Sequence, residues 1–152
     1  MIVIGSDHAG ENLKRKIKEY LNENNLEYAD INNYDENDDY PDIASKLSNK
    51  VLENKDNLGI AICGSGIGMC ITCNKFSGIR AALCVDEYMA KMCRMHNDAN
   101  VICLGERLDY YNDGKVYEII ENFMKTSFEG GRHERRLEKI SKIENSNKGD
   151  NI

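Results

Sequence analysis

The sequence predicts an α/β protein on a mostly parallel sheet. Two observations carry this reading. Short strand-like runs at residues 1–5, 26–31, 58–62, 79–85 and 100–104 alternate with segments whose apolar residues recur about once per helical turn. The third run passes directly into Cys63, then Gly64, Gly66 and Gly68, and then an apolar, glycine-free stretch from Ile67 to Thr72. Strand, glycine loop and helix together make an anion cradle, because glycine admits close backbone approach and the first N–H groups of a helix lack an internal partner.

The elements follow in order. Residues 1–5 form a buried strand that ends in the polar turn Gly5-Ser6-Asp7-His8-Ala9-Gly10. Leu13, Ile17, Tyr20 and Leu21 make the apolar face of a first helix, closed by residues 22–25. Leu26 to Ile31 is a second strand, weakened by its acids, and an acidic loop leads to Asp39-Tyr40-Pro41-Asp42. Pro41 suits a first helical turn, and Ile43, Ala44, Leu47, Val51 and Leu52 supply that helix's apolar face. Leu58 to Ile62, with two β-branched isoleucines, is a fully buried strand. Gly78 breaks the helix after the glycine loop, and Ile79 to Val85 is the fourth strand. Asp86 caps a helix carrying Met89, Met92, Cys93 and His96, which Asn97-Asp98 ends. Asn100 to Leu104 is the fifth strand. Asn112 or Asp113 caps a helix with Val116, Ile119, Ile120, Phe123 and Met124. After Gly130-Gly131 a charged helix starts near Arg132, with Leu137, Ile140 and Ile143 as its apolar stripe. Residues 1–144 read as one domain, and 145–152 as a polar, disordered tail.

A chain of 152 residues suits one domain with one core. At 41% hydrophobic and 30% charged residues it should fold and stay soluble, and no run approaches the roughly 18 apolar residues that span a bilayer. The N-terminus opens into a strand without a basic region, so no signal peptide is expected and the reading is cytoplasmic. The net charge of −6 does not favour nucleic acid. Residues 22–45 carry eight acids and no Lys or Arg, the composition of a solvated loop. Residues 132–142 carry Arg132, Arg135, Arg136, Lys139 and Lys142 against Glu134 and Glu138, a cluster suited to a small anion. Of the six cysteines, Cys84, Cys93 and Cys103 read as buried free thiols. Cys70 and Cys73 are spaced C-x-x-C, but a zinc site needs two more ligands and a redox pair normally opens a helix. Core packing is their reading, and no metal is expected.

The residues after the strand ends face the ligand side in such folds: Asp7-His8, Cys63 to Gly68, Asp86-Glu87 and Gly105-Glu106-Arg107. The loop Gly64-Ser65-Gly66-Ile67-Gly68 is not a dinucleotide fingerprint, since its last glycine comes one residue early and it follows the third strand. Acids do follow about twenty residues on, which keeps a nucleotide-binding module as an alternative. Neither a Walker loop nor a nucleophile elbow is present. Cys63 at the lip of the cradle suggests a proton-transfer thiol whose charge the backbone holds, against the plain reading of a buried cysteine. His8 reads equally as a turn residue. His96 and Asn97 end a helix and by default lie at the opposite edge of the sheet. Arg132 and Arg136 share a helix face, which fits a phosphate or plain solvent.

Six segments match one family in order. They are Gly5-Ser6-Asp7-His8-Ala9-Gly10, Asp39-Tyr40-Pro41, Cys63-Gly64-Ser65-Gly66-Ile67-Gly68, Asn74 to Ala81, His96-Asn97-Asp98 with Asn100-Val101, and Gly130 to Arg136. The sequence closely resembles the type B ribose-5-phosphate isomerases, within the family that also holds galactose-6-phosphate and allose-6-phosphate isomerases. The resemblance implies a three-layer α/β/α sandwich, Rossmann-like, on a five-stranded parallel sheet with a C-terminal helix. It implies homodimers or homotetramers with active sites shared between subunits. It also implies interconversion of D-ribose 5-phosphate and D-ribulose 5-phosphate through a cis-enediolate, without metal or other cofactor, in the non-oxidative branch of the pentose phosphate pathway.

Residue by residue, Cys63 matches the base, and His96 the ring opener, with Ser65 where relatives often carry Thr. Gly64, Ser65, Gly66, Ile67 and Gly68, with Asn97, match the groups that hold the enediolate. Asp7 and Tyr40 match the sugar site. His8, Arg132 and Arg136 match the phosphate clamp, and Arg107 matches an arginine contributed by the neighbour. Members without the cysteine use a glutamate after the loop. That position is Met69 here, so the chain is of the cysteine type. Galactose-6-phosphate or allose-6-phosphate isomerase remains the alternative substrate reading, and a catalytically dead homologue is disfavoured because no expected site residue is missing.

Overall fold

The computed structural model describes residues 1–32, 38–108 and 114–146. Among them, β1 (Ile2–Ser6), β2 (Tyr28–Asp30), β3 (Leu58–Cys63), β4 (Ala81–Leu83) and β5 (Val101–Gly105) form one sheet in the order β2-β1-β3-β5-β4. Every pairing is parallel. The helices are α1 (Glu11–Glu23), α2 (Tyr40–Leu52), α3 (Ile67–Cys73), α4 (Glu87–Asn97), α5 (Lys115–Lys125) and α6 (Arg132–Ser146).

Strand side chains alternate between the two faces of the sheet. Ile2, Ile4, Ile60, Ile62, Ile102 and Leu104 pack against Leu13, Ile17 and Leu21 of α1, Ala90 and Cys93 of α4, and Val116, Ile119, Ile120 and Phe123 of α5. Val3, Ala61, Cys63, Val101 and Cys103 meet Ile43, Ala44, Leu47 and Val51 of α2 and Met69 and Cys73 of α3. The result is the three-layer sandwich the resemblance implies. Each fully buried Ile, Leu or Phe contributes roughly 1.5–3 kcal/mol, so the strands are held from both faces.

Local chemistry sets the helix ends. Pro41 sits in the first turn of α2, and the Asp42 carboxylate reaches back to the Asp39 N–H at 3.1 Å. Asp86 caps α4 by accepting from the Met89 N–H at 2.7 Å. Gly130 and Gly131 take positive φ immediately before α6.

Several expectations need correction. The fourth strand is Ala81–Leu83 rather than 79–85, because side chains take the backbone donors at its start. Asn100 Oδ1 accepts the Arg80 N–H at 2.8 Å, and Asn74 Oδ1 accepts that of Ala81 at 2.9 Å. The second strand is likewise only Tyr28–Asp30. Leu52 and Met89 are exposed rather than packed in the core. Ile140 and Ile143 stand 50% and 63% exposed, since they line an open groove with Ile79, Ala81 and Ala82 while Glu144 holds the end of α6 by accepting from the Gly78 N–H at 3.2 Å. α6 extends to Ser146, two residues into the expected tail, and 147–152 lie outside the described residues. So do the cap candidates Asn112 and Asp113; Gly114 precedes α5. Among the described residues no helix is long and apolar enough to cross a membrane.

Candidate active site

The strand order reverses between β1 and β3, and the crevice at such a point lies beyond the carboxyl ends of the strands. Asp7 and His8 follow β1 there, and Cys63 ends β3. Gly66 donates its N–H to Cys63 Sγ at 3.1 Å, and Ile67 N–H reaches Ser65 Oγ at 3.3 Å. The thiol, 5% exposed, therefore already sits among backbone donors at the mouth of α3.

Gly66 adopts φ +77°, and a Cβ there would come within 2.6 Å of Leu83 Cδ1 and 3.0 Å of the Leu104 carbonyl carbon. Conformation and space both demand glycine. A Cβ at Gly68 would enter the Tyr40 ring at 2.7 Å, so Tyr40 lies directly on the loop.

The segment after β5 completes this end. Glu106 N–H bonds the Cys63 carbonyl and Arg107 N–H the Gly64 carbonyl, both at 3.0 Å. The Arg107 guanidinium lies over Gly64, 3.1 Å from where a Cβ would stand. The Glu106 carboxylate accepts from Leu13 N–H at 2.9 Å and Asn12 Nδ2 at 3.0 Å, tying the segment to α1. Asp7 is 7% exposed and accepts from the Ala9 N–H at 3.0 Å. Burial pushes its carboxyl above the usual range, against the pull of that N–H and of positive charge on His8 and Arg107.

His96 and Asn97 end α4, which starts beside the carboxyl end of β4 and runs back to the amino edge of the sheet. Arg80 clamps that end, its Nε donating to the Asn97 carbonyl at 3.0 Å and the Asp98 carbonyl at 2.9 Å, and its Nη2 to Asp98 Oδ2 at 2.8 Å. Asp98 itself takes φ 44° and also pairs with Arg94 at 3.0 Å. The His96 ring stacks on His133 with centroids 4.2 Å apart, and Arg132 Nε and Arg136 Nη1 each lie 3.4 Å from a His133 nitrogen.

The predicted residues thus fall into two groups. Asp7, His8, Tyr40, Cys63, residues 64–68 and Arg107 gather at the carboxyl end of the sheet, while His96, Asn97, Arg132 and Arg136 gather at the amino end. Arg107 stands at the cradle of its own chain, and His8 is separated from the two arginines of the expected clamp. Sequence reasoning gave no role to Arg80, Glu129 and His133, and placed Glu106 on the ligand side without assigning it one. His133 lay inside a quoted motif, and its spacing of three from Arg136 was the available signal.

Cys70 and Cys73 gather about Cys103, and hydrogen bonding to Cys103 brings the Cys70 thiol down to about 7 against the effect of burial. Cys84 and Cys93 touch at 3.9 Å between their sulfurs.

The site is a backbone cradle with a thiol at its lip, on a parallel α/β sheet, the architecture of a sugar-phosphate isomerase family. The chain belongs to the Ribose/Galactose Isomerase family, whose pattern matches residues 2–140. It is 45% identical over 146 residues to a probable ribose-5-phosphate isomerase B of Mycoplasma genitalium, covering 94% of this chain and 95% of that one. Ribose-5-phosphate isomerase B of Clostridium thermocellum superposes with a TM-score of 0.88 at 44% identity, covering 95% and 97% of the two chains. The Mycoplasma genitalium enzyme with bound ribulose 5-phosphate superposes with a TM-score of 0.86 at 46% identity, covering 95% of each.

Proposed function

We propose that this chain is an aldose–ketose isomerase that interconverts D-ribose 5-phosphate and D-ribulose 5-phosphate without a metal, in the non-oxidative pentose phosphate pathway of the cytoplasm. The observation that carries the reading is Cys63 at the end of β3, with the Gly66 N–H directed at its sulfur. Family membership and relatives carrying this activity support the choice of substrate. Residues 1–144 serve as the isomerase domain.

The sugar arrives as a closed ring. His96 gives a proton to the ring oxygen, the C1–O4 bond breaks, and the O1 proton leaves by way of the Ser65 hydroxyl. Cys63 as thiolate then takes the proton from C2 of the open aldehyde. The negative charge of the cis-enediolate is held by backbone N–H groups of residues 64–68 and by the Asn97 amide, which are fixed before charge develops. Return of the proton from Cys63 to C1, with transfer of the O2 proton to O1, completes the ketose. Asp7 and Tyr40 bind the sugar hydroxyls, Arg107 brings positive charge to the cradle, and His8, Arg132 and Arg136 hold the phosphate.

This assignment requires two chains. Cys63 and His96 belong to opposite ends of one sheet, so the His96, Asn97, Arg132 and Arg136 group of one protomer must meet the cradle of its partner in a homodimer or a larger assembly. Exposed Ile67, Ile71, Tyr88 and Met89 on α3 and α4, and the groove of about 760 Å³ that Leu137, Ile140 and Ile143 of α6 form with Ile79, Ala81 and Ala82, provide apolar surface for it. An isologous pairing uses such a surface twice.

The test is ribose 5-phosphate turnover in EDTA by wild type and Cys63→Ala. We expect robust wild-type turnover and a loss of roughly 10²–10⁴-fold in the variant, the usual contribution of a positioned base. Survival of activity in Cys63→Ala would remove the base assignment. Turnover of allose or galactose 6-phosphate in its place would move the substrate within the family.

A further inference from the structure

His133 is 3% exposed and takes no part in the chemistry just described. Its ring lies parallel to that of His96, with an interplanar angle of 8° and centroids 4.2 Å apart. Glu129 Oε2 approaches both rings, at 3.3 Å from His133 Nε2 and 3.9 Å from His96 Nε2. The Glu129 backbone N–H is itself bonded to the Met95 carbonyl at 3.0 Å, which ties this residue's main chain to α4.

These three side chains could be read as a cation site, since their ligand atoms fall within 4.8 Å of one another. The ring geometry opposes it. Imidazole binds metal through a lone pair in the ring plane, and two parallel planes this far apart direct their lone pairs side by side rather than at one point. Arg132 and Arg136 also set two positive charges beside the rings. Burial first, and then positive charge on His96 and Arg132, lowers the His133 pKa, with Glu129 opposing. His133 Nε2 accepts from Arg132 Nε at 3.4 Å, Nδ1 faces Arg136 Nη1 at 3.4 Å, and the Glu129 carboxylate lies 3.3 Å from Nε2.

We infer that His133 and Glu129 are positioning residues for His96: the stacked ring sets the plane of the His96 imidazole, and the negative charge of Glu129, 3.9 Å from Nε2, favours one orientation of that ring. The inference rests on the role proposed above for His96 in ring opening. A rotating His96 would meet the ring oxygen at many angles; a clamped one meets it at one. The same His133 links the ring opener to the phosphate-side Arg136, so the two functions of this end are held in one register.

Ribulose 5-phosphate separates positioning from general damage. Its 5-hydroxyl carries the phosphate, so the ketose cannot close a furanose ring, and exchange of its C1 proton with solvent deuterium needs the Cys63 chemistry but no ring opening. In His133→Ala we expect ribose 5-phosphate turnover to fall roughly 10- to 100-fold, as misplacement of a reacting group does, with C1 exchange within about 3-fold of wild type. His133→Phe restores a stacking ring and should recover turnover to within about 5-fold, while Glu129→Gln, at an exposed position, should lose roughly 3- to 10-fold in turnover alone. Equal loss of turnover and exchange in His133→Ala and Glu129→Gln would make both residues merely structural. Unchanged turnover in both would remove the positioning role. A wild type lacking both turnover and exchange would overturn the isomerase reading itself, which is a different result from either.

Discussion

At the carboxyl end of the sheet the functional groups are held by backbone, whereas at the amino end they are held by one another. Cys63 sits on a loop whose conformation is dictated by Gly66 and by hydrogen bonds between residues adjacent across β3 and β5. His96 depends on a ring from α6, a carboxylate before it, and the Arg80–Asp98 clamp below it. The first arrangement is rigid and suits a charge that must find its donors already in place. The second is a set of side chains on helix ends, tolerant of small shifts and able to meet a partner. On the proposed assignment, the base and the ring opener lie at different ends.

The sharpest way to break this division is subunit mixing. Cys63→Ala and His96→Ala should each be nearly inactive in ribose 5-phosphate turnover. Combined in equal amounts and allowed to exchange subunits, they should recover about one quarter of the wild-type rate, because half the dimers are hybrids and each hybrid carries one intact site. No recovery would return both residues to a single chain.

Next in size is Gly66→Ala. The positive φ and the contact with Leu83 and Leu104 should cost roughly 2–4 kcal/mol of stability and abolish C1 exchange, read by urea unfolding and by deuterium incorporation. At the other end, Arg136→Ala should raise KM for ribose 5-phosphate roughly 10-fold or more while leaving kcat the less affected, because a charged phosphate contact is made in ground state and transition state alike.

The smallest effect belongs to a purely structural ion pair. Burial raises the Asp30 carboxyl, but the hydrogen bond from Lys18, the Asn32 N–H and the charge of Lys14 outweigh it and hold the group below its usual 3.8. The ionised form is therefore favoured by folding. Its stabilisation is present above pH 3.8 and lost as pH falls through the lower folded value. Asp30→Asn should cost on the order of 1–2 kcal/mol near pH 7, a difference that urea unfolding should find shrinking as pH falls below 3.8.

Much of the fold was legible because its causes are local. Apolar period, the glycines after β3, Asp86 as a cap and Gly130-Gly131 before α6 act within a few residues of where they stand. The cradle and Cys63 were readable for the same reason. The extent of β4 was not, since side chains of Asn74 and Asn100 take its donors from outside the strand.

By itself, then, the sequence determined the alternation of strands and helices, the cradle, and the six segments that place the chain in its family. Only the tertiary structure decided the strand order and the stack of His133 on His96. Those outcomes depend on which helix packs beside which, a sum of many apolar contacts between residues far apart in the chain. No local spacing encodes that sum.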